Sequence, residues 1–299
     1  MRWDGVIPAI TTAFQPDGSV DHRFLARHAE WLVENGSTAI VALGSLGEGA
    51  TLERDEKIEV LHTCVKALGE RAPVAAAVSA LSTAEAVGLA REAEKAGCQG
   101  LMILPPYVYS TDWREMKAHM QAVLRATSLS CMLYNNPIAY RTDFLPHQIA
   151  ELAAAHPNLH AVKESSADIR RVTAIRALLG SRLAILVGVD DLIVEGLAQG
   201  ATGWIAGLVN ALPGESVELF DLARRGEHDR ASDLYRWFLP LLRLDTVPKF
   251  VQLIKLVQAE VGMGSAQVRP PRLELEGEEL DAALRLIRGA LTTRPGAAA

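Results

Sequence analysis

The chain has 299 residues, of which 49% are hydrophobic and 22% charged, a composition typical of a folded globular protein rather than a disordered one. Its 30 basic and 36 acidic side chains give a net charge of −6, so it lacks the basic surface with which nucleic-acid-binding proteins contact phosphates. No apolar run approaches the roughly 18 residues of a membrane helix, and the opening residues MRWDGVIPAI show no signal-peptide pattern. We therefore expect a cytoplasmic protein that binds neither nucleic acid nor a membrane.

Eight short apolar segments follow one another along the chain, separated by amphipathic stretches. Each segment is continuously apolar rather than alternating, as expected of parallel strands that are covered on both faces. The segments are GVIPAIT (5–11), AIVALG (39–44), PVAAAVSA (73–80), GLMILPP (100–106), SCMLYNNP (130–137), HAVKESS (160–166), AILVGVD (184–190) and TGWIAGLVN (202–210).

Helical periodicity fills the gaps, for example over 21–35, 54–68 and 83–96. Eight strand–helix units predict an α/β protein of the (β/α)8 type, a TIM barrel, as a catalytic domain over 1–225. Three further helical segments predict a C-terminal three-helix extension over 226–299. Neither GxGxxG nor GxxxxGK[ST] occurs, so no motif indicates nucleotide binding.

Catalytic groups of such a barrel lie at the C-terminal ends of its strands. The sixth segment ends in Lys163, and of the seven lysines only this one lies in a run that should be buried. Burial disfavours the ammonium form, so the neutral amine becomes available as a nucleophile. The alternative is a lysine that is simply paired with Glu164 or another carboxylate.

Two other strand ends offer chemistry. The fifth segment ends near Tyr134, a phenol that can relay protons, although it could equally be an aromatic that fills the barrel mouth. The second ends in GSLGEGA, where Gly44 and Gly47 allow a tight turn whose amides, with the Ser45 hydroxyl, could bind a carboxylate. The alternative there is an ordinary glycine-rich turn.

Three cysteines, Cys64, Cys98 and Cys131, are far apart and odd in number. Their spacing suggests neither a zinc site nor a disulfide framework, so we expect each cysteine to pack as a small buried hydrophobic residue. We expect no metal site.

Seven segments together resemble, in order and spacing, the dihydrodipicolinate synthase and N-acetylneuraminate lyase family. They are GVIPAITTAF, GSLGEGATL, LPPYVYS, YNNP, VKESS, VGVDD and GATGWIAGLVN. The resemblance covers nearly the whole chain. These are lyases of the class I aldolase type, built on a TIM barrel, that form a Schiff base with a 2-oxo acid and use no cofactor. The resemblance implies a small 2-oxo acid as substrate and a homotetramer, with the YVYS segment as a contact between barrels.

By this resemblance, Lys163 condenses with the carbonyl of pyruvate or another 2-oxo acid, and Tyr134 relays protons. The Ser45 hydroxyl orients Tyr134, and the amides of Ser45 and Leu46 hold the substrate carboxylate. The implied catalytic residues are Lys163, Tyr134 and Ser45, and the implied substrate-binding residues are Ser45, Leu46, Gly47, Tyr107, Gly188 and Ile205.

The chain departs from the synthase pattern at three places. Synthases carry two threonines at Ser45 and Leu46, a second tyrosine at Val108, and at Ala139 an arginine for the aldehyde substrate's carboxylate. YNNPIAY and LDTVPKFVQLIKL are more similar to members linked to hydroxyproline breakdown, which deaminate 1-pyrroline-4-hydroxy-2-carboxylate. A deaminase is therefore one alternative, and a non-catalytic sensor of a small acid is another.

Overall fold

The computed structural model describes residues 1–106 and 112–295. Eight parallel strands form one sheet in the order β1-β8-β7-β6-β5-β4-β3-β2. An isolated parallel bridge between Ala9 and Val41 joins the two ends, so the sheet closes into a barrel. The strands are β1 Gly5–Pro8, β2 Ile40–Ala42, β3 Val74–Val78, β4 Gly100–Ile103, β5 Ser130–Asn135, β6 Leu159–Glu164, β7 Ala184–Val187 and β8 Gly203–Ala206.

Helices alternate with the strands and cover the outside of the barrel. The predicted TIM barrel is therefore confirmed. In the described residues the helices are α1 His22–Glu34, α2 Arg54–Leu68, α3 Thr83–Lys95, α4 Trp113–Arg125, α5 Pro137–Tyr140, α6 Pro146–Ala155, α7 Arg170–Leu179, α8 Ile193–Ala198, α9 Pro213–Arg224, α10 His228–Leu242, α11 Phe250–Glu260 and α12 Gly277–Thr292.

Most strands are shorter than their apolar segments. All of their residues are buried except His160 and Ala184, in agreement with the continuous apolar runs. The apolar run continues past the last ladder bond in most cases because the residues that follow form the barrel mouth. They are covered there by loops and by the extension, so apolarity alone does not mark where a strand ends.

Local signals fix the helix ends. The Asp21 side chain accepts from the Phe24 N–H at 2.9 Å and begins α1, while Asn35 and Gly36, with φ +96°, end it. The predicted α2 matches the observed helix, and Ser82 caps α3 through the Glu85 N–H at 3.2 Å. These are the places where the sequence carries both a side-chain cap and a terminal glycine.

The three predicted C-terminal helices are present as α10, α11 and α12. Helix α10 packs on α9 and α12, and α11 packs on α12 and on the turn after β8. The division into a barrel domain over 1–225 and an extension over 226–299 stays a prediction. The extension nonetheless contacts the barrel mouth, which bears directly on the site.

The three cysteines are buried, with exposures of 0% for Cys64, 3% for Cys98 and 0% for Cys131. Burial raises the pKa of each thiol to about 12. The expectation that each cysteine is buried is confirmed.

Candidate active site

Lys163 and Tyr134 lie side by side at the barrel mouth. They are register partners in the adjacent strands β6 and β5, and partners in a parallel ladder point to the same side of the sheet. The Lys163 Nζ lies 4.2 Å from the centre of the Tyr134 ring. The ladder therefore brings an amine and a phenol into contact without any loop to position them.

The Lys163 amine is buried and carries no ion pair. Its residue is 7% exposed, and no carboxylate in the described residues lies within ion-pair distance of it. Burial lowers the pKa of Lys163 to about 8, although the charges of Asp245 and Asp190 oppose this shift. A substantial share of neutral amine is therefore present near neutral pH.

Glu164, the partner that the alternative interpretation gave to Lys163, is engaged elsewhere. It accepts from the Asn135 side-chain amide at 3.1 Å and from the Ser166 N–H at 2.7 Å. Its carboxylate thus joins the end of β6 to the end of β5, and the structure does not support a simple Lys163–Glu164 pair.

Gly188 makes room for the lysine. A Cβ atom at this position would lie 2.5 Å from Lys163 Cε and 2.0 Å from Ser165 Oγ. Both distances are below any real van der Waals contact, so a side chain at residue 188 would displace the amine. The structure therefore gives Gly188 a defined part in the site through the space it leaves.

The loop after β2 presents free backbone amides. The N–H groups of Ser45, Leu46 and Gly47 donate to no acceptor in the described part of the chain. Leu43 and Glu48, with φ +66° and +53°, hold the loop in the left-handed region, which is costly for residues with a side chain. Successive free backbone amides in a tight turn can bind anions such as carboxylates.

Two glycines make this loop possible. A Cβ at Gly47 would lie 2.8 Å from the Ile10 carbonyl oxygen, and one at Gly49 would lie 2.1 Å from that of Leu43. At Gly44 a Cβ would meet only the Met102 methyl at 3.8 Å. The expectation that Gly44 and Gly47 make the turn is thus correct for Gly47, whereas Gly49, not Gly44, is the second position that requires glycine.

The Ser45 hydroxyl does not bond to Tyr134 as expected but to the hydroxyl of Tyr140. The rings of Tyr140 and Tyr134 meet edge-on with their centres 5.8 Å apart. The Tyr134 hydroxyl accepts from the Asn136 side-chain amide at 2.9 Å, and burial raises the pKa of Tyr134 to about 12. Tyr140 therefore lies between the loop and the phenol of Tyr134.

The sequence analysis did not assign Tyr140. The available signal was the second tyrosine six residues after Tyr134, on the far side of an Asn-Pro turn. Pro137 begins the single-turn helix α5, with the Asn136 side chain as its cap, and this turn carries Tyr140 back over the mouth.

Two carboxyl groups complete the surroundings of Lys163. Asp190, after β7, accepts from Trp204 Nε1 at 2.9 Å and from the N–H groups of Gly207 and Leu208 at 3.1 and 2.8 Å. Asp245 comes from the extension, in the turn Arg243–Asp245 that follows α10. Neither carboxylate was predicted as a site residue. Asp190 directly follows β7 in the barrel, whereas the position of Asp245 depends on how the extension packs.

Comparison with known proteins decides the family. Residues 2–290 match the model of the dihydrodipicolinate synthetase family. A 4-hydroxy-tetrahydrodipicolinate synthase of Chelativorans sp. (strain BNC1) is 33% identical over 284 residues, which are 94% of this chain and 97% of that protein. The chain belongs to the dihydrodipicolinate synthetase family.

Solved structures of this family superpose on the whole chain. The 4-hydroxy-tetrahydrodipicolinate synthase of Methylacidiphilum fumariolicum has a TM-score of 0.92 at 28% identity, covering 98% of each chain. A dihydrodipicolinate synthase of Acinetobacter baumannii, solved with pyruvate, has a TM-score of 0.90 at 27% identity, covering 97% of this chain and 99% of that one. The chain is accordingly an enzyme, a lyase of the dihydrodipicolinate synthetase family.

The other substrate-binding residues implied by the family resemblance fall into two groups. Leu46 and Ile205 are buried, 3% and 1% exposed, in the loop after β2 and in β8. Tyr107 lies outside the described residues, as do Val108 and the rest of YVYS. Leu46 packs into the core rather than presenting a hydroxyl, which separates this chain from family members with a second threonine.

The expectation that Lys163 would be the one buried lysine was wrong. Lys255, on α11, is 2% exposed. Its Nζ donates to Glu48 at 2.5 Å and to the Gln267 carbonyl at 2.8 Å. Lys255 lies on the face of α11 that packs against the barrel mouth, and a single lysine within an apolar helix does not reveal which face it occupies.

The described residues contain no group of three or more His, Cys, Asp or Glu side chains that could hold a metal ion. In those same parts of the chain, no helix combines the length and apolarity needed to cross a membrane.

Proposed function

We propose that this lyase forms a Schiff base between Lys163 and pyruvate or another 2-oxo acid. The observation that carries the proposal is a buried amine with no ion pair, in contact with a phenol and close to a loop with free amides. The pyruvate complex of the Acinetobacter baumannii relative supports the substrate class. The proposal uses no metal or organic cofactor.

The chemistry follows from these groups. The neutral Lys163 amine adds to the substrate carbonyl carbon, and the resulting carbinolamine loses its hydroxyl as water when Tyr134 supplies a proton. The iminium that forms is an electron sink, so a proton at the adjacent carbon can leave to give an enamine. The amides of Ser45 and Leu46 hold the carboxylate and fix the carbonyl against the amine.

Borohydride trapping tests this proposal. Incubation with pyruvate and borohydride is expected to attach a reduced pyruvyl group to the peptide that contains Lys163, as seen by mass spectrometry. Because only the neutral amine attacks, the trapping rate should rise about tenfold per pH unit below pH 8 and level off above it, following the lowered pKa. No adduct with any 2-oxo acid would favour the small-acid sensor instead.

A second candidate is the deamination of a hydroxylated pyrroline carboxylate. The residues that follow β5, Ala139 and Arg141, favour it. Ala139 carries no charge where synthases place an arginine, and its N–H is held by the Asn136 side chain at 3.0 Å. Arg141 ends α5 with a left-handed backbone and is exposed. The position at which synthases carry the cation for the carboxylate of aspartate semialdehyde is thus uncharged in this chain.

The kcat/KM values of one preparation decide between these activities. The substrates are aspartate semialdehyde with pyruvate, N-acetylneuraminate, and 1-pyrroline-4-hydroxy-2-carboxylate. A missing charged contact costs about 1.5–3 kcal/mol, or one to two orders of magnitude in rate. We therefore expect the third substrate to exceed the first at least tenfold. The reverse order would restore the synthase assignment.

A homotetramer and a cytoplasmic location stay predictions. The segment in which we expected the contact between barrels, 107–111, lies outside the described residues.

A further inference from the structure

Asp245 brings a carboxyl group from the extension onto the end of β8. A Cβ atom at Gly207, directly after β8, would lie 2.1 Å from Asp245 Oδ1 and 2.4 Å from its Cγ. The carboxyl group therefore lies against the bare backbone of Gly207, and any other residue there would exclude it.

The extension holds this position through several contacts. Leu244, next to Asp245, is 8% exposed, and Arg243 forms an ion pair with Asp191 at 3.4 Å. The Tyr235 hydroxyl, on α10, donates to the Asp191 carbonyl oxygen. The turn that carries Asp245 is thus fastened to the loop after β7, on the Lys163 side of the mouth.

The carboxyl of Asp245 has no structural partner that would explain it. Its Oδ1 atom is fully buried and accepts no hydrogen bond in the described part of the chain. Asp190, which faces the same glycine, is saturated by three N–H donors. Buried carboxyl oxygens are normally bonded, so an unpartnered one beside a reactive lysine points to a ligand that supplies the missing contact.

The groups that face Asp245 come from three elements. They are Lys163 on β6, Tyr134 on β5, and Asp190 with Asp191 after β7. Burial and the two neighbouring aspartates raise the pKa of Asp245 well above its usual value, while the Lys163 charge opposes this. The direction of this shift favours the protonated carboxyl group, which is the form that can act as an acid.

We propose that Asp245 is a catalytic residue that protonates the leaving group of a substrate tethered to Lys163. The site would then accept 2-oxo acids, or their cyclic imines, that carry a hydroxyl or amino group on the carbon β to the imine carbon. This inference rests on the proposed Schiff base and adds the class of substrate and the acid for the second half of the reaction.

The step balances without an oxidant or reductant. Lys163 adds to the imine carbon of a cyclic substrate, and the ring C–N bond breaks as its nitrogen takes up a proton. Loss of a proton from the adjacent carbon gives the enamine. Its electron pair then expels the β-hydroxyl, the C–O bond breaks, and the proton of Asp245 leaves with it as water. A proton then moves from the carbon that carries the amino group to the carbon that lost the hydroxyl, which leaves an imine at the amino-bearing carbon. Water hydrolyses this imine to an aldehyde and ammonia, and a second water releases the product from Lys163.

The Asp245→Asn variant tests the proposal because it keeps the shape of the carboxyl group but cannot transfer its proton. The control is Asp233→Asn, an exposed aspartate on α10 of the same extension. The probe substrate is 1-pyrroline-4-hydroxy-2-carboxylate, with ammonia release as the readout. Pyruvate–borohydride trapping and thermal unfolding are measured on the same preparations.

We expect Asp245→Asn to lose about 100-fold in kcat, the lower end of the range for a general acid, with little change in trapping, unfolding temperature or KM. The 4-chloro analogue of the probe, whose chloride leaves without a proton, should lose less than tenfold. The control should behave like the unmodified enzyme. The kcat of the unmodified enzyme should also fall at high pH, where Asp245 loses its proton. The kcat of the variant should show no such fall.

Three results would overturn the inference. One is an Asp245→Asn enzyme within threefold of the unmodified kcat, and another is an equal loss with the hydroxyl and chloro probes. The third is an unmodified enzyme that traps pyruvate but releases nothing from the probe. Absence of trapping in the unmodified enzyme would instead refute the proposed Schiff base, so the two failures are distinguishable.

Discussion

Replacing Lys163 with alanine is expected to abolish turnover and borohydride trapping while the fold stays intact. The Lys163 amine supplies the covalent intermediate that we propose, whereas the Lys255 amine is held by Glu48. Because the Lys163 amine is buried without an ion pair, its ammonium form opposes folding, and its removal should not lower the unfolding temperature. Steady-state kinetics and calorimetry on the same protein measure both effects.

The matched control is Lys249→Ala. Lys249 is half exposed and pairs with Glu279 on the surface of the extension. It should retain full activity, since an exposed pair of this kind contributes about 0–1 kcal/mol. Lys163→Arg adds a further test, because it keeps a cation but removes the nucleophile. More than a few per cent of activity in Lys163→Ala would remove the residue from the mechanism.

Tyr134→Phe should keep slow adduct formation but lose roughly 10²–10⁴ in kcat, the usual range for a general acid–base. The ring would still pack beside Lys163 and only the hydroxyl would be lost. Single-turnover kinetics separate adduct formation from later steps. Unchanged rates would make Tyr134 a packing residue.

Tyr140→Phe gives a graded comparison with Tyr134→Phe. It removes the hydroxyl that bonds to Ser45 but leaves the edge-on ring contact with Tyr134. We expect a loss of about tenfold, smaller than for Tyr134, because Tyr140 acts through its neighbour rather than on the substrate. A larger loss than for Tyr134→Phe would indicate that Tyr140, rather than Tyr134, exchanges protons with the substrate.

The barrel and its lysine could be predicted because their signals are local. Buried parallel strands have continuously apolar sequences, and helix ends carry capping residues such as Asp21 and Ser82. The position of Lys163 at the end of such a run, together with the rule for barrel mouths, indicated the nucleophile. The contact between Lys163 and Tyr134 was not predicted, although it follows from the pairing of the adjacent strands β6 and β5.

The parts that escaped prediction depend on distant packing. Asp245 and Lys255 lie in the extension, and nothing in the adjacent sequence indicates that they reach the mouth. The exchange of Tyr134 for Tyr140 as the partner of Ser45 depends on how a four-residue helix folds back. In these cases the spacing along the chain was visible, but the direction of each side chain was not.

The buried pair of Glu48 and Lys255 limits how this barrel can be cut or transplanted. Glu48 has no exposed side-chain surface. It also accepts from the Arg269 N–H at 3.0 Å and pairs with Arg272 at 4.0 Å, so these three partners of its carboxylate all belong to the extension. A fragment ending at residue 225 would remove these partners of Glu48, and breaking a buried ion pair by removing one partner costs about 3–5 kcal/mol. Since Glu48 directly follows the three free amides, the cost falls on the anion-binding loop. A minimal catalytic barrel would therefore need Glu48 replaced by a neutral side chain before the extension could be removed.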